Sequence, residues 1–433
     1  MTLPRYRSKI VAAVERHAGR GSFGDLGPGE LALGEWQALG LEVPDLAALR
    51  RDRLARVRAQ LAERDYAGIV VGDPINIRYA TDSANMQVWC LHNPVRYAFV
   101  ATEGPVIVFD FHGCGHLSAA LELVDEVRPG RGWYFFKSGA RVAEHARGWA
   151  AELGELVRAH GGGNRRLAID KADRDGVAAL MAERLELFDG QEVMELARAI
   201  KSVDEIRAMR CAIATCEAAM AVMQAALRPG ITEQELWAHL HAENIKRGGE
   251  WIETRLLSSG PRTNPWFQEC SSRPIEAGDL VAFDTDLIGP YGYCADISRT
   301  WLCGERASNR QIDLYRQARE QIAHNLNLIR TGRTFREFSE VAFRLPERYR
   351  ANRYSTVVHG VGLCDEYPAI YYPEDAAETG YDGTFEAGMT VCLESYIGEE
   401  GGAEGVKLEE QVLITATGAE LLSRYPFEDD VFG

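Results

Sequence analysis

The sequence has no long hydrophobic run, no paired-cysteine motif and no excess of positive charge. Of its 433 residues, 48 are Lys or Arg and 64 are Asp or Glu, which gives a formal net charge of −16. A basic face that binds nucleic acid or an anionic membrane is therefore not expected. No stretch approaches the length of a transmembrane helix, and the N-terminus lacks the apolar segment of a signal peptide.

Cysteine usage excludes two further classes of protein. The nine cysteines are scattered, odd in number and form no CxxC pair. A disulfide framework or a zinc finger is therefore not expected, and the thiols are typical of a cytoplasmic protein. The 46% hydrophobic and 26% charged residues indicate an ordinary globular protein, and its length exceeds what one hydrophobic core usually serves.

The pattern of apolar residues predicts three segments. Residues 1–45 form an extension with a short helix from Ile10 to Ala18 and a second helical piece that ends near Leu41; it packs on its own chain or crosses to a partner. Residues 46–194 alternate strands with helices, which predicts an α/β domain. Residues 195–433 combine helices with hairpins, which predicts an α+β domain around a mostly antiparallel sheet.

The segment from Leu280 to Thr300 contains the first candidate site. An apolar run leads into Asp284 and Asp286, a Gly/Pro turn follows, and then comes Asp296. Residues two apart on a strand point to the same face, and a reversal at the turn places Asp296 opposite them. Like charges that face each other across a hairpin are destabilising unless a cation lies between them. The hairpin therefore predicts a metal site.

A second hairpin repeats this arrangement. Thr390–Glu394 and Val406–Glu409 alternate polar and apolar residues around a glycine-rich turn, which places Glu394 opposite Glu409. Buried carboxylates are expected to be paired or to bind a metal. The alternative is ordinary surface acids on exposed strands. It holds for any single Asp or Glu, but apolar neighbours disfavour it for the opposed pairs.

His359 lies between the two hairpins and is the only histidine after residue 324. A lone histidine on an apolar strand is more often a hydrogen-bonded core residue. Its place between two carboxylate hairpins favours a metal ligand instead. His239 and His241 are not favoured as ligands, because they lie on a predicted helix, where residues two apart do not share a face. His112, two residues after Asp110, is not favoured either.

The order of these residues resembles the pita-bread metallopeptidase family, which includes methionine aminopeptidase, aminopeptidase P, prolidase and creatinase. The resemblance covers nearly the whole chain, and its motifs include YCADISRTW, HGVGL and VKLEEQVLIT. It implies an α+β fold in which a pita-bread (creatinase/aminopeptidase) catalytic domain follows a smaller α/β N-terminal domain. It also implies two divalent metal ions in an open catalytic site, for which Mn, Fe, Co or Zn is suited.

Three features depart from the peptidases. The pair Asp284 and Asp286 stands where they have a single aspartate. The segment SSGPRTNPWFQEC has no histidine where they carry a catalytic one, and Glu366, preceded by Asp365, stands where they carry another. Because those histidines orient and protonate the amide in the family, peptide-bond hydrolysis is disfavoured.

The departures are similar to those of the DddP-type dimethylsulfoniopropionate (DMSP) lyases, a branch of this fold that cleaves DMSP to dimethyl sulfide and acrylate. The segment PINIRYATDSANMQVW also resembles that branch. The resemblance implies a homodimer with iron as the metal, Asp365 as the general base and Tyr354 beside the substrate. The implied metal ligands are Asp284, Asp286, Asp296, His359, Glu394 and Glu409.

DMSP is a zwitterion, and this chemistry suits the candidate site. A metal on its carboxylate acidifies the neighbouring C–H, and a carboxylate base removes that proton. Burial against neighbours such as Tyr367 is expected to raise the pKa of Asp365. The sulfonium is expected on aromatic faces, for which Tyr354 and Trp89 are the candidates.

Three other functions stay open. The first is an X-Pro aminopeptidase or prolidase with unusual general acids, which activity on X-Pro dipeptides would identify. The second is a creatinase-like C–N hydrolase, and the third is a binding domain that kept the fold and lost the chemistry. Every predicted ligand position is filled, which disfavours the third. For Asp365 the alternative is a loop residue that caps a turn.

Overall fold

The computed structural model describes residues 27–304 and 306–433, so the predicted helix from Ile10 to Ala18 lies outside the described residues. The described chain divides into two compact units. One comprises residues 45–198, and the other comprises residues 27–44 and 199–433. Within the described part of the chain, no helix is long and apolar enough to span a membrane.

The described part of the N-terminal extension belongs to the second unit. Its helix α1 (Glu30–Ala38) buries Trp36 against Cys211. Glu35 accepts two hydrogen bonds from Arg247, at 2.7 and 2.9 Å. A buried aromatic ring and a bidentate ion pair attach this segment, so residues 27–44 pack on their own chain.

The first unit is a six-stranded mixed sheet with helices. The elements in chain order are α2 (Leu46–Glu63), β1 (Gly68–Val71), α3 (Pro74–Thr81), α4 (Gln87–Cys90), β2 (Tyr97–Ala101), β3 (Val106–Asp110), β4 (Glu126–Pro129), α5 (Phe135–Ser138), α6 (Val142–His160), β5 (Arg166–Ile169), α7 (Arg174–Ala182), β6 (Glu186–Asp189) and α8 (Gly190–Ala199). The strand order in the sheet is β4-β3-β2-β1-β5-β6. Strand β1 pairs antiparallel with β2 and parallel with β5. The core places Phe99 of β2 and Leu167 of β5 against Trp149 of helix α6.

The hydrophobic pattern missed several elements of this unit, among them both edge strands and one helix. Strands β4 and β6 are the two edges of the sheet. Each has only four residues, a mixture of charged and apolar side chains without a buried position, so neither stands out as an apolar run. Helix α3 begins at Pro74 after Asp73, whose carboxylate caps it by accepting from the Ile75 N–H. Proline at the first helical position and aspartate at the N-cap are ordinary helix-start signals.

The second unit is built on three antiparallel sheets, as the hairpin pattern predicts. The elements in chain order are α9 (Val203–Ala226), α10 (Glu233–Lys246), β7 (Trp251–Ile252), β8 (Leu257–Ser259), β9 (Leu280–Phe283), β10 (Leu287–Ile288), β11 (Cys294–Ala295), β12 (Arg299–Leu302), α11 (Asn309–Leu326), α12 (Phe335–Val341), α13 (Glu347–Arg350), β13 (Val358–Val361), β14 (Asp365–Ile370), α14 (Pro373–Thr379), β15 (Thr390–Gly398), β16 (Gly405–Thr415), β17 (Gly418–Leu421) and α15 (Asp429–Phe432). The strand orders of the three sheets are β14-β13-β15-β16-β17, β12-β9-β8 and β11-β10-β7.

Helices cover the sheets of the second unit with apolar side chains. Leu314 and Ile322 of α11 pack with Leu393 of β15 in one core cluster. Met220 of α9 packs with Phe283 of β9 in another. Because these apolar faces meet the helices, the alternate side chains of the same strands are left to face one another across the sheets.

Candidate metal centre

The first hairpin brings three aspartates together. Strand β9 pairs with β12 through Phe283 and Arg299, and β10 pairs with β11 through Leu287 and Ala295. The two ladders share one register, which sets Asp286 opposite Asp296, as the sequence predicts. Asp284, Asp286 and Asp296 each offer an oxygen within 4.8 Å of the others.

The second hairpin has the predicted register as well. Glu394 on β15 lies directly opposite Glu409 on β16. Strand β13 flanks β15 and pairs His359 with Cys392. His359 Nε2 consequently lies 3.2 Å from Glu394 Oε1 and 3.6 Å from Glu409 Oε1.

Hydrogen bonds between the hairpins join the two halves of the site. The Glu409 N–H donates to the Ser298 carbonyl at 3.2 Å, and the Asp296 N–H donates to Gln411 Oε1 at 3.2 Å. His359 Nε2 then lies 3.7 Å from Asp296 Oδ2. The fold thus gathers all six predicted ligands into one cluster.

The structure adds a neighbour that the sequence analysis did not name. Cys392 forms a possible ligand group with Asp296, His359 and Glu409, all of them buried. Its position two residues before Glu394 on a strand puts both side chains on one face. This two-residue spacing is the feature of the sequence that indicates Cys392 as a neighbour of the ligands.

The cluster has the properties of a divalent metal site. Asp284, Asp296, Glu394 and Glu409 are each 3% exposed or less. Asp284 Oδ1, Asp296 Oδ1 and Glu409 Oε1 are buried without a hydrogen-bond donor in the described residues. Orphaned buried oxygens are costly unless a cation binds them. An oxygen-rich set with one imidazole suits Mn, Fe, Co or Zn, so the residues fit the implied metal.

Electrostatics supports the same interpretation. Burial and the charge of Asp284 raise the pKa of Asp286 well above its usual value, and burial and Glu409 do the same for Asp296. Burial also raises the pKa of Asp284 to about 7, against the opposing charge of Lys407. The shifts mean that these carboxylates cannot all stay ionised here without additional positive charge.

Lys407 is a member of the cluster that the sequence analysis missed. It is fully buried on β16, and its Nζ lies 2.6 Å from Glu394 Oε2 and 3.1 Å from Asp284 Oδ2. Lys407 and Glu409 are two apart on a strand and so share a face. That spacing in VKLE could have indicated a lysine directed at the carboxylates.

Asp365 and Glu366 point in opposite directions at the start of β14. Asp365 Oδ1 lies 3.6 Å from His359 Nδ1, and the Asp365 side chain is 54% exposed. The expected burial of Asp365 is therefore wrong, because alternation on the strand turns it outward. Glu366 is buried instead and forms an ion pair with Lys201.

The two predicted substrate residues lie in different units. Tyr354 belongs to the second unit, where its ring stacks on Phe267 with centroids 5.3 Å apart and lies 4.7 Å from Lys407 Nζ. Burial and the nearby Glu394 raise the pKa of Tyr354. Trp89 lies on α4 of the first unit, where its ring contacts Phe111. The part that Trp89 plays in substrate binding stays a prediction.

The chain is similar to known metallopeptidases in sequence and in fold. The model of the family "Metallopeptidase family M24" matches residues 207–416. The fold is similar to that of the Xaa-Pro dipeptidase from Bacillus anthracis, with a TM-score of 0.70 and 22% identity, covering 87% of this chain and 98% of that one. It is also similar to the prolidase from Pyrococcus horikoshii, with a TM-score of 0.69 and 19% identity, covering 87% and 99%. The protein therefore has the pita-bread fold.

Sequence relatives narrow the assignment. The chain is 46% identical over 415 residues to a dimethylsulfoniopropionate lyase DddP of Roseovarius nubinhibens, covering 94% of this chain and 93% of that protein. It is also 45% identical over 415 residues to a dimethylsulfoniopropionate lyase DddP of Roseobacter denitrificans, again covering 94% of this chain and 93% of that protein. The chain belongs to the DddP family of the pita-bread metallopeptidase superfamily.

Proposed function

We propose that this protein is a metal-dependent DMSP lyase that forms dimethyl sulfide and acrylate by β-elimination. The observation that carries the proposal is the 46% identity, over 94% of the chain, to a protein named for that activity. The buried cluster of carboxylates and one imidazole supports it, because it supplies the ligands that such chemistry needs.

Six side chains are proposed to hold two divalent ions, with iron as the resident metal. Such ions would supply Lewis-acid chemistry, which would acidify the C–H next to the substrate carboxylate. Asp284 and Asp286 lie with Asp296 on one hairpin, and the other hairpin and β13 supply the remaining ligands. Those remaining ligands are His359, Glu394 and Glu409.

Asp365 is proposed as the base that takes the proton from the carbon next to the carboxylate. The C–H electron pair becomes the new C=C bond, and the C–S bond breaks with its electrons going to sulfur. The products are acrylate, neutral dimethyl sulfide and one proton on Asp365, which solvent then removes. The exposure of Asp365 suits this last exchange, and its 3.6 Å distance from His359 Nδ1 places it at the cluster.

The sulfonium needs a surface that stabilises a cation without hydrogen bonds. Tyr354 and Phe267 offer stacked aromatic rings beside the cluster, and Phe267 is 58% exposed. Aromatic faces attract such cations by roughly 0.5–2 kcal/mol. We propose that Tyr354 lines this part of the site, with Trp89 as a further contact.

The deciding experiment measures headspace dimethyl sulfide from metal-loaded protein given DMSP, for the wild type and Asp365→Ala. Release by the wild type and near-complete loss in the variant, at equal metal content, support both the lyase and its base. Release by both proteins would retain the lyase and reject Asp365. No release from a metal-replete wild type would reject the lyase, and X-Pro dipeptides then test for a peptidase.

Three further properties complete the proposal. The protein is proposed to work as a homodimer, which light scattering of the purified protein tests. A cytoplasmic site is proposed because all nine cysteines are free thiols. Iron is proposed over Mn, Co or Zn, which metal analysis of protein purified without added metal decides.

A further inference from the structure

Lys407 places an ammonium group inside the acidic cluster. Its side chain is fully buried, and its Nζ lies 2.6 Å from Glu394 Oε2, 3.1 Å from Asp284 Oδ2 and 3.3 Å from Glu409 Oε2. It also donates to Ser298 Oγ at 2.6 Å. A lysine taken wholly out of water is stable only when paired, so these contacts define the environment of its charge.

The ammonium divides the oxygens of its partners into two sets. Glu394 Oε2 and Glu409 Oε2 face Lys407, whereas their Oε1 atoms lie 3.2 and 3.6 Å from His359 Nε2. Asp284 likewise turns Oδ2 to Lys407, and its buried Oδ1 has no donor among the residues that the structure describes. Each carboxylate thus turns one oxygen to Lys407 and the other away from it, and in the proposed metal centre the second oxygen is the one that would bind a metal.

Hydrogen bonds fix the ammonium itself. Ser298 Oγ accepts from Lys407 and donates to Glu409 Oε2 at 2.7 Å. The Lys407 backbone is anchored through Thr300, whose Oγ1 donates to its carbonyl at 2.8 Å and accepts from its N–H at 3.0 Å. These bonds join β16 to the first hairpin, which carries Asp284, Asp286 and Asp296. The hydrogen bond to Ser298 holds the ammonium beside the cluster.

The count of charges in the cluster also supports a role for Lys407. Asp284, Asp286, Asp296, Glu394 and Glu409 contribute five negative charges. Two divalent ions contribute four positive charges, and Lys407 contributes the fifth. In the metal-free protein, Lys407 supplies positive charge to a cluster that otherwise consists of mutually repelling carboxylates.

We propose that Lys407 is a charge-compensating residue of the metal centre. It offsets the mutual repulsion of Asp284, Glu394 and Glu409 before any metal arrives and balances the charge that two divalent ions would leave over. The inference rests on the proposed metal centre. It predicts that the ammonium matters most to the metal-free protein, because bound ions otherwise neutralise the same carboxylates.

A second buried lysine provides the matched control. Lys201 lies in the same unit and forms an ion pair with Glu366, with the side chains 2% and 1% exposed. Its partner is not among the cluster residues. Lys201→Met and Lys407→Met therefore remove the same group from equally buried ion pairs, one outside the metal centre and one within it.

The test compares thermal unfolding of the full-length wild type, Lys407→Met, Lys407→Arg and Lys201→Met, with chelator and with saturating Mn²⁺. Lys407→Met is expected to lower Tm much more without metal than with it. Lys201→Met is expected to lower Tm equally in both conditions, and Lys407→Arg, which keeps the charge, to stay closer to the wild type. By linkage, folded Lys407→Met should bind Mn²⁺ about tenfold more tightly, because a like charge has been removed.

Two results would overturn the role of Lys407. One is an equal Tm loss with and without Mn²⁺, as in Lys201→Met, and the other is weaker Mn²⁺ binding by Lys407→Met. If Lys407→Met folds well enough to be purified only in its metal-bound form, chelator should unfold Lys407→Met and leave Lys201→Met folded. If both variants stay folded in chelator, the proposal is rejected.

These readouts do not use DMSP, so they separate this inference from the proposed reaction. A protein that responds to Mn²⁺ as described but releases no dimethyl sulfide keeps the role of Lys407 and loses the lyase. A wild type whose Tm does not respond to Mn²⁺ overturns both the metal centre and the role of Lys407.

Discussion

The Nδ1 atom of His359 lies 3.6 Å from Oδ1 of Asp365, whereas its Nε2 faces the carboxylate cluster. Metal-bound imidazoles commonly present their other nitrogen to a carboxylate or carbonyl, which fixes the tautomer and the ring orientation. The same position suits a base that acts on a substrate bound at the cluster. The position of Asp365 therefore fits two chemically distinct roles, and a pair of substitutions separates them.

Asp365→Asn keeps an acceptor for His359 but cannot take a proton. If Asp365 is the base, Asp365→Asn and Asp365→Ala should both lower kcat by about 10²–10⁴-fold while metal content stays unchanged. The measurement is dimethyl sulfide release together with the metal-to-protein ratio. An active Asp365→Asn beside a metal-depleted Asp365→Ala would instead assign Asp365 to the orientation of His359.

Asp296→Asn tests the metal centre directly. Asp296 belongs to two of the possible ligand groups, and its buried Oδ1 has no donor in the described part of the chain. The variant should therefore lose both bound metal and activity. The ratio of metal to protein after dialysis measures the first loss. Asp279→Asn is the control, because Asp279 binds Arg273 at 2.6 Å and not the cluster. Its metal content should match the wild type, and parallel metal loss in both variants would contradict the assignment.

The buried pair of Lys201 and Glu366 is expected to support the fold. Breaking such a pair from one side leaves a charge in a dry site, which costs about 3–5 kcal/mol. Lys201→Met should therefore lower the free energy of unfolding by that amount in urea titrations, and replacing Glu366 by Leu as well should restore part of it. A single-variant loss below about 1 kcal/mol would mean that the pair is not structural.

Asp170 should make the first unit less stable as pH rises. Burial raises its pKa from 3.8 to about 6, against hydrogen bonds from the Gly72 N–H and the Asn76 amide. The folded protein then binds the proton more tightly than the unfolded chain. This contribution is fully present below about pH 4 and is lost as pH rises through 6, by about 3 kcal/mol in all.

The Asp170 prediction is checked as a difference, so that other titrating groups cancel. The free energy of unfolding is measured for the wild type and Asp170→Asn between pH 4 and 7. The advantage of the wild type should shrink up to about pH 6 and then stay constant. A difference that does not change with pH would show that the Asp170 carboxyl does not titrate in this range.

Tyr354 is expected to contribute its ring rather than an ionised phenol. Burial and the neighbouring Glu394 raise its pKa, so the phenol stays protonated at working pH. Tyr354→Phe should leave the alkaline limb of the pH–rate profile unchanged, whereas Tyr354→Ala should raise KM for DMSP by roughly tenfold. An alkaline limb that disappears in Tyr354→Phe would contradict this.

Some parts of this protein are determined by local sequence alone. The register of both carboxylate hairpins follows from the two-residue period of strands and from the turns, so the pairing of Glu394 with Glu409 could be predicted. The alternation of apolar strand segments with helical segments over residues 46–194 likewise predicts the central strands of the first unit. Both features depend on residues close together in the chain, where geometry leaves few choices.

Other parts depend on which distant elements pack together. The hydrogen bond from Ser298 to Glu409 joins residues 111 apart in sequence, and it completes the cluster in which Lys407 is buried. The sequence also did not predict the outward turn of Asp365, the burial of Glu366 against Lys201 or the short edge strands β4 and β6. Exposure and long-range pairing are set by the whole fold, because a side chain's environment is made largely by residues remote from it in sequence.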